Sequence, residues 1–199
     1  MQIYLFRHGQ TAGNAQGKYL GATDEPLCEL GIETARAAGS DPAVEEVLVS
    51  PLQRARMTAA ILFPNAKQRV CPAFREMDFG DFEGRSYQEM ENDPDYRYWV
   101  EVTQCMGPCP HGDATVVFQH RVCAAFRREV DKALQAGRER LYILAHGGVV
   151  MSILYRFAEP PAPFYSWPLD NCQGYRAQVR MGPEGLALAD VCHLEKVAP

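Results

Sequence analysis

Arg7-His8-Gly9 follows directly on the apolar run Ile3-Tyr4-Leu5-Phe6, and a second histidine, in His146-Gly147-Gly148, follows Leu141-Tyr142-Ile143-Leu144-Ala145. An imidazole beside a guanidinium suits nucleophilic attack on phosphorus. The guanidinium binds two phosphate oxygens at once through its planar donors. Nearby cations also depress the imidazole pKa and keep one ring nitrogen unprotonated. Arg54 offers a second clamp, and two guanidiniums with a histidine largely neutralise a phosphoryl dianion. Cleaving a phosphate ester further requires a proton for the departing alkoxide. The segment Arg75-Glu76-Met77-Asp78-Phe79-Gly80-Asp81-Phe82-Glu83-Gly84 sets carboxylates among aromatic rings. A carboxylic acid kept neutral by a partly apolar pocket can deliver that proton and later remove one from water. Glu76, nearest the preceding strand, is the candidate; Asp78, Asp81 and Glu83 compete with it and are equally suited to bonding loop amides. Gly147-Gly148 lets an anion approach a helix N-terminus closely.

Such residues meet only if the chain brings them together. Apolar runs at 2–7, 46–49, 68–71 and 141–146 read as strands, and 29–39, 51–63, 115–136 and 148–157 read as helices. The alternation predicts an α/β fold with a mostly parallel central sheet and helices on both faces. In such a sheet the loops at the carboxyl ends of the strands converge on one crevice, which is where His8 and His146 would face each other. Ser50 is expected to cap the second helix with Pro51 at its first position. Gly137 is expected to end the helix that carries Phe118, Val122, Phe126, Val130 and Leu134 on one face. Residues 175–181 and 186–193 alternate around Gly182-Pro183-Glu184-Gly185 and predict C-terminal edge strands. The stretch from about 85 to 114, rich in Pro, Tyr and acids, interrupts the rhythm and reads as a small helical lid within a single domain spanning 1–199.

At 199 residues and 47% hydrophobic content the chain can bury a sizeable core. A net charge of -5, without any lysine/arginine run, argues against a nucleic-acid partner. No apolar stretch is long enough to span a bilayer, and no secretory leader is visible, so a cytoplasmic location is expected. The seven cysteines contain no C-x-x-C pair and read as reduced thiols. Cys105, Cys109 and His111 raise the thought of zinc, but the spacing is atypical and a fourth ligand is not apparent; no metal site and no cofactor are expected.

Five ordered blocks, RHGQTAGN at 7–14, GATDEPLCELG at 21–31, SPLQRARMTA at 50–59, REMDFGDFEG at 75–84 and AHGGV at 145–149, resemble the histidine phosphatase superfamily, the phosphoglycerate-mutase-like proteins. The resemblance implies that His8 accepts the phosphoryl group and that Glu76 donates the proton. It further implies a phosphate pocket formed by Arg7, Arg54 and His146 and completed by Gln10, Thr11, Asn14 and Gly147. Thr11 and Asn14 are equally suited to fixing the loop. The implied chemistry is ping-pong, with water attacking phosphohistidine in the second half. Motif register selects Arg54 over its neighbour Arg56. The chain departs from the pattern at Gly112-Asp113-Ala114, where the phosphatase branch often has Gly-Glu-Ser, at Phe82 in place of a usual tryptophan, and at Cys28.

Between 75 and 113 ten acidic side chains face three arginines, Arg75, Arg85 and Arg97, and no lysine. A phosphoglycerate mutase must retain a bisphosphorylated intermediate and needs further cations for it, so this lid favours a phosphatase acting on a small-molecule phosphate ester with a weakly charged body. Within the phosphatase branch, α-ribazole-5′-phosphate phosphatases share the layout, and broad-specificity phosphatases match almost as well. One of Tyr96, Tyr98 and Trp99 is a candidate to stack on substrate. The alternatives are a cofactor-dependent phosphoglycerate mutase and a non-catalytic phospholigand-binding domain. A homodimer is compatible with either an edge strand or an exposed helix.

Overall fold

In a sheet covered on both sides, neighbouring residues of a strand belong to different cores, and the buried positions sort accordingly. In β1 (Gln2–Arg7), Ile3 and Leu5 join one apolar cluster and Phe6 the other. In β2 (Glu46–Val49), Leu48 faces the first cluster while Val47 and Val49 face the second. β3 (Lys67–Val70) is more exposed, as expected of an edge. In β4 (Arg140–Ala145), Leu141, Ile143 and Ala145 separate from Tyr142 and Leu144. The computed structural model describes residues 1–183 and 185–197. Its six strands lie in the order β3-β2-β4-β1-β5-β6. β1 to β4 pair in parallel; β5 (Gly174–Gly182) runs antiparallel to β1, and β6 (Gly185–Leu194) antiparallel to β5. The expected α/β class, the mostly parallel sheet and the two C-terminal strands are present. Glu184, in the turn read between those strands, lies outside the described residues.

Among the helices, α1 (Ala12–Ala15) is one turn, α2 (Glu29–Ala37) and α3 (Gln53–Leu62) cover the Phe6 side, and α4 (Pro94–Arg97) runs into a short π-helix, Tyr98–Val102. α5 (Thr115–Gln135) and α6 (Gly147–Phe157) cover the Ile3 side. Phe118, Val122, Phe126 and Val130 bury one stripe of α5, with Leu134 half-buried at its end. Each such side chain contributes about 1.5–3 kcal/mol by leaving water. Gly137 ends α5 as expected: its amide and that of Arg138 return to the carbonyls of Leu134 and Ala133.

One helix start differs from expectation. α3 begins at Gln53, not at Pro51, and Ser50 does not cap it. The Gln53 amide instead donates to Asp24 Oδ1 at 2.6 Å, a cap supplied from 29 residues upstream, and the Ser50 hydroxyl meets His146 Nε2 and receives only the Leu52 amide, at 3.4 Å. α2 is capped by the Cys28 thiol, which accepts from the Gly31 amide. The segment 85–114 holds α4 and the π-helix, and its Trp99 inserts into the larger core beside Phe82 and Tyr96. No helix among the described residues is long and apolar enough to cross a membrane.

Candidate active site

β1 and β4 are adjacent and in register, with Arg7 opposite Ala145, so the chain leaves both strands at one point. His8 and His146 therefore lie with ring centroids 5.0 Å apart, edge to face. The His8 amide donates to the Ala145 carbonyl, and the Asn171 side chain donates to the His8 carbonyl at 2.9 Å. The ring is buried, and its Nδ1 lies 2.6 Å from the Gly9 carbonyl. A carbonyl only accepts, so Nδ1 carries the proton and Nε2 keeps its lone pair. Burial, then the charges of Arg54 and Arg7, hold the pKa of His8 well below the ordinary 6.5. The Thr58 hydroxyl receives the Gly9 amide at 2.8 Å and donates to the Arg54 carbonyl, which ties the loop that carries His8 to α3.

Arg7 anchors one guanidinium nitrogen on the Leu169 carbonyl at 2.6 Å, and its buried Nε has no protein partner. Arg54 does not form an open clamp. It is wholly buried, with Nε donating to His146 Nδ1 at 3.3 Å, Nη1 to the Thr23 carbonyl at 2.6 Å and Nη2 to the carbonyls of Leu20 and Gly21. Because Nδ1 of His146 accepts, its proton sits on Nε2, 2.7 Å from Ser50 Oγ. His146 is wholly buried too, and its pKa is driven well down by burial and by the cationic surroundings. Ser50 thus belongs to the site. The signal that could have found it was its position at the end of β2, beside β4, the same strand-end logic that selects both histidines.

Glu76 is buried and accepts hydrogen bonds from the Met77 amide at 3.0 Å and from the Gly148 amide at the start of α6 at 3.0 Å. A Cβ on Gly148 would come within 2.5 Å of Glu76 Oε1, so only glycine leaves the carboxyl room there. Burial raises the pKa of Glu76 above 4.5, outweighing the two amides and the charges of Arg54 and Arg7. The competing acids are engaged elsewhere: Asp78 accepts from the Gly80 amide, Asp81 meets His111, and Glu83 binds loop amides.

Thr11 caps α1 reciprocally with Asn14, whose side chain receives the Thr11 amide, so both fix the loop. Asn14 nonetheless lines the cavity over His8, as does Gly147, whereas Gln10 does not and offers its carbonyl to the Cys28 amide. That cavity, about 410 Å³, is bounded by Arg7, His8 and Glu76 on its floor and by Tyr19, Phe79 and Trp167 above. A second chamber of about 370 Å³ shares Tyr19, Glu76, Phe79, Met151 and Tyr165 with it and is walled further by Met77, Trp99 and Phe118. Of the lid aromatics, Trp99 reaches this chamber, Tyr96 bonds the Tyr19 hydroxyl at 2.9 Å, and Tyr98 points to solvent. Cys109 is buried with its thiol pushed up to about 12, and His111 is exposed against Asp81.

Residues 3–189 match the model of the histidine phosphatase superfamily (branch 1). The chain belongs to the histidine phosphatase superfamily. Within it, the chain is 30% identical over 168 residues to an adenosylcobalamin/alpha-ribazole phosphatase of Salmonella typhimurium, covering 81% of this chain and 82% of that one. It is 29% identical over 215 residues to a protein of Erwinia tasmaniensis that bears a phosphoglycerate-mutase name, GpmB, covering 100% of this chain and 97% of the other. The crystal structure of the alpha-ribazole phosphatase of Shigella flexneri superposes with a TM-score of 0.78 at 25% identity, covering 100% of this chain and 98% of that one. Of the five sequence blocks scattered over 143 positions, from Arg7 to Val149, three line the cavity, while 50–59 supplies Ser50 and Arg54 to His146 and 21–31 supplies the Gly21 and Thr23 carbonyls to Arg54.

Proposed function

We propose that this histidine phosphatase is a phosphomonoesterase that hydrolyses a small-metabolite phosphate ester through phosphohistidine on His8. The supporting observation is a neutral His8 with Nε2 unprotonated on the same cavity floor as a carboxyl of raised pKa, Glu76. Nε2 attacks phosphorus and forms the N–P bond as the ester P–O bond breaks. Glu76 gives its proton to the departing alkoxide, and the alcohol leaves. Water then attacks the phosphoryl group, Glu76 takes a proton from it, and the N–P bond breaks to release inorganic phosphate and restore His8. Arg7, with Arg54 and His146 behind, stabilises the charge on the transferring oxygens, so turnover should withstand chelators without loss.

The body of the ester is proposed to be aromatic and weakly charged, as in α-ribazole 5′-phosphate. The second chamber is walled by aromatic and apolar side chains and contributes no cation, and the only lysine on the first cavity is Lys18. A distal phosphate or carboxylate would find little compensation there. The test is a phosphate-release panel of α-ribazole 5′-phosphate, sugar phosphates, phosphoserine and the phosphoglycerates, with mutase activity assayed alongside. The highest kcat/KM is expected for α-ribazole 5′-phosphate; efficient interconversion of 2- and 3-phosphoglycerate would instead establish the mutase reading that the GpmB likeness favours.

A further inference from the structure

We propose that Glu83 is a positioning residue for phosphoryl transfer: its carboxylate fixes the loop whose carbonyls hold the Arg54 guanidinium beside both histidines. Glu83 touches neither cavity. Its Oε1 accepts from the amides of Gly21, Ala22 and Phe79 at 2.9, 2.8 and 3.1 Å, and its Oε2 from the Thr23 amide and hydroxyl at 3.3 and 2.6 Å. The same short loop presents the carbonyls of Leu20, Gly21 and Thr23 to Arg54. The carbonyl of one residue and the amide of the next lie in one rigid, planar peptide unit, so a carboxylate that holds the Gly21 and Ala22 amides also aims the Leu20 and Gly21 carbonyls at Arg54. The approach is close enough that a Cβ on Gly21 would fall 2.6 Å from Glu83 Oε1 and collide with the Met77 carbonyl. Flanking bonds, Gly84 amide to Tyr19 carbonyl and Tyr19 amide to Arg85 carbonyl, pin the base of the loop to the root of the lid. The acid that competes with Glu76 in the sequence therefore serves the site from behind, through Arg54.

The inference rests on Arg54 assisting phosphoryl transfer, and a double-mutant cycle separates the two ideas. Glu83→Gln keeps the shape but turns Oε2 into a donor facing the Thr23 amide. It is expected to fold and to lose kcat/KM by about 10²-fold, the scale of a small misplacement in an organised site. Its acid limb should also move to higher pH, because Arg54 and Arg7 are the charges that hold His8 down, whereas His146 beside it is neutral and Glu76 on the same cavity keeps its proton. In an Arg54→Lys background the same change should cost less than about 3-fold, since coupled residues are not additive. Full additivity, or an unmoved acid limb, would overturn the positioning role. Wild-type activity in Arg54→Lys alone would instead remove the premise about Arg54 and this proposal with it. Should Glu83→Gln fail to fold, Thr23→Val removes only the 2.6 Å hydroxyl contact. It is expected to lose about 3- to 10-fold with the same lack of additivity, on the same scale of misplacement; unchanged activity would count against the proposal.

Discussion

At the scale of single residues the site depends on two groups pushed in opposite directions. Burial and two guanidiniums hold His8 neutral well below pH 6.5, while burial holds a proton on Glu76 above pH 4.5. In the proposed mechanism the nucleophile is lost when His8 gains a proton and the general acid is lost when Glu76 gives one up. The kcat/KM profile should therefore be bell-shaped, with its acid limb set by His8 and its alkaline limb by Glu76. Glu76→Gln should lower kcat/KM by about 10²–10⁴-fold and abolish the alkaline limb. With an aryl phosphate, whose leaving group needs little help, the same variant should accumulate phosphoenzyme, because water is no longer deprotonated. A Glu76→Gln profile identical to wild type would shift the acid's role to another group. Ser50 invites a related test: Ser50→Ala leaves the His146 Nε2 proton without its 2.7 Å partner. This should cost about 1–3 kcal/mol, the penalty for a buried unsatisfied donor, in urea unfolding, along with a fall in kcat.

At the scale of elements, α5 is the least finished part of the fold. Its N-cap is Ala114, in the extended conformation a cap requires but with no side chain to receive an amide. Ala114→Ser should stabilise the protein by about 1 kcal/mol, read as a higher urea midpoint at unchanged slope; no change would mean that another group already satisfies those amides. β1 and β4 were legible because apolar runs ending in His-Gly have few other readings, and α5 because its stripe and terminal glycine agree. The start of α3 was not legible, since its cap comes from Asp24 and its own Ser50 is taken by His146. A local rule cannot see a competitor that is distant in sequence and near in space. The same limit hid the closed environment of Arg54: a motif supplies the guanidinium, but the three carbonyls around it come from a loop folded over from residues 20–23.

For the molecule as a whole, the sheet separates two cores, and the cavity opens where the ends of β1 and β4 meet residues 18–20 and the loop before β5, with the lid walling the adjoining chamber. The floor of that cavity is set by motifs and was readable from residue types. Its roof was less so, because Met151, Tyr165 and Trp167 join it from segments without a motif. The proposed reaction type therefore rests on the floor and the proposed substrate preference on the roof. The claim on which all of this turns is covalent catalysis by His8, and the direct measurement is to quench the enzyme during turnover and map the phosphorylated residue by mass spectrometry. The account predicts an acid-labile, alkali-stable phosphoryl group on His8, absent from His8→Ala, which should also be inactive. An acid-stable phosphoserine, or steady turnover by His8→Ala, would contradict it.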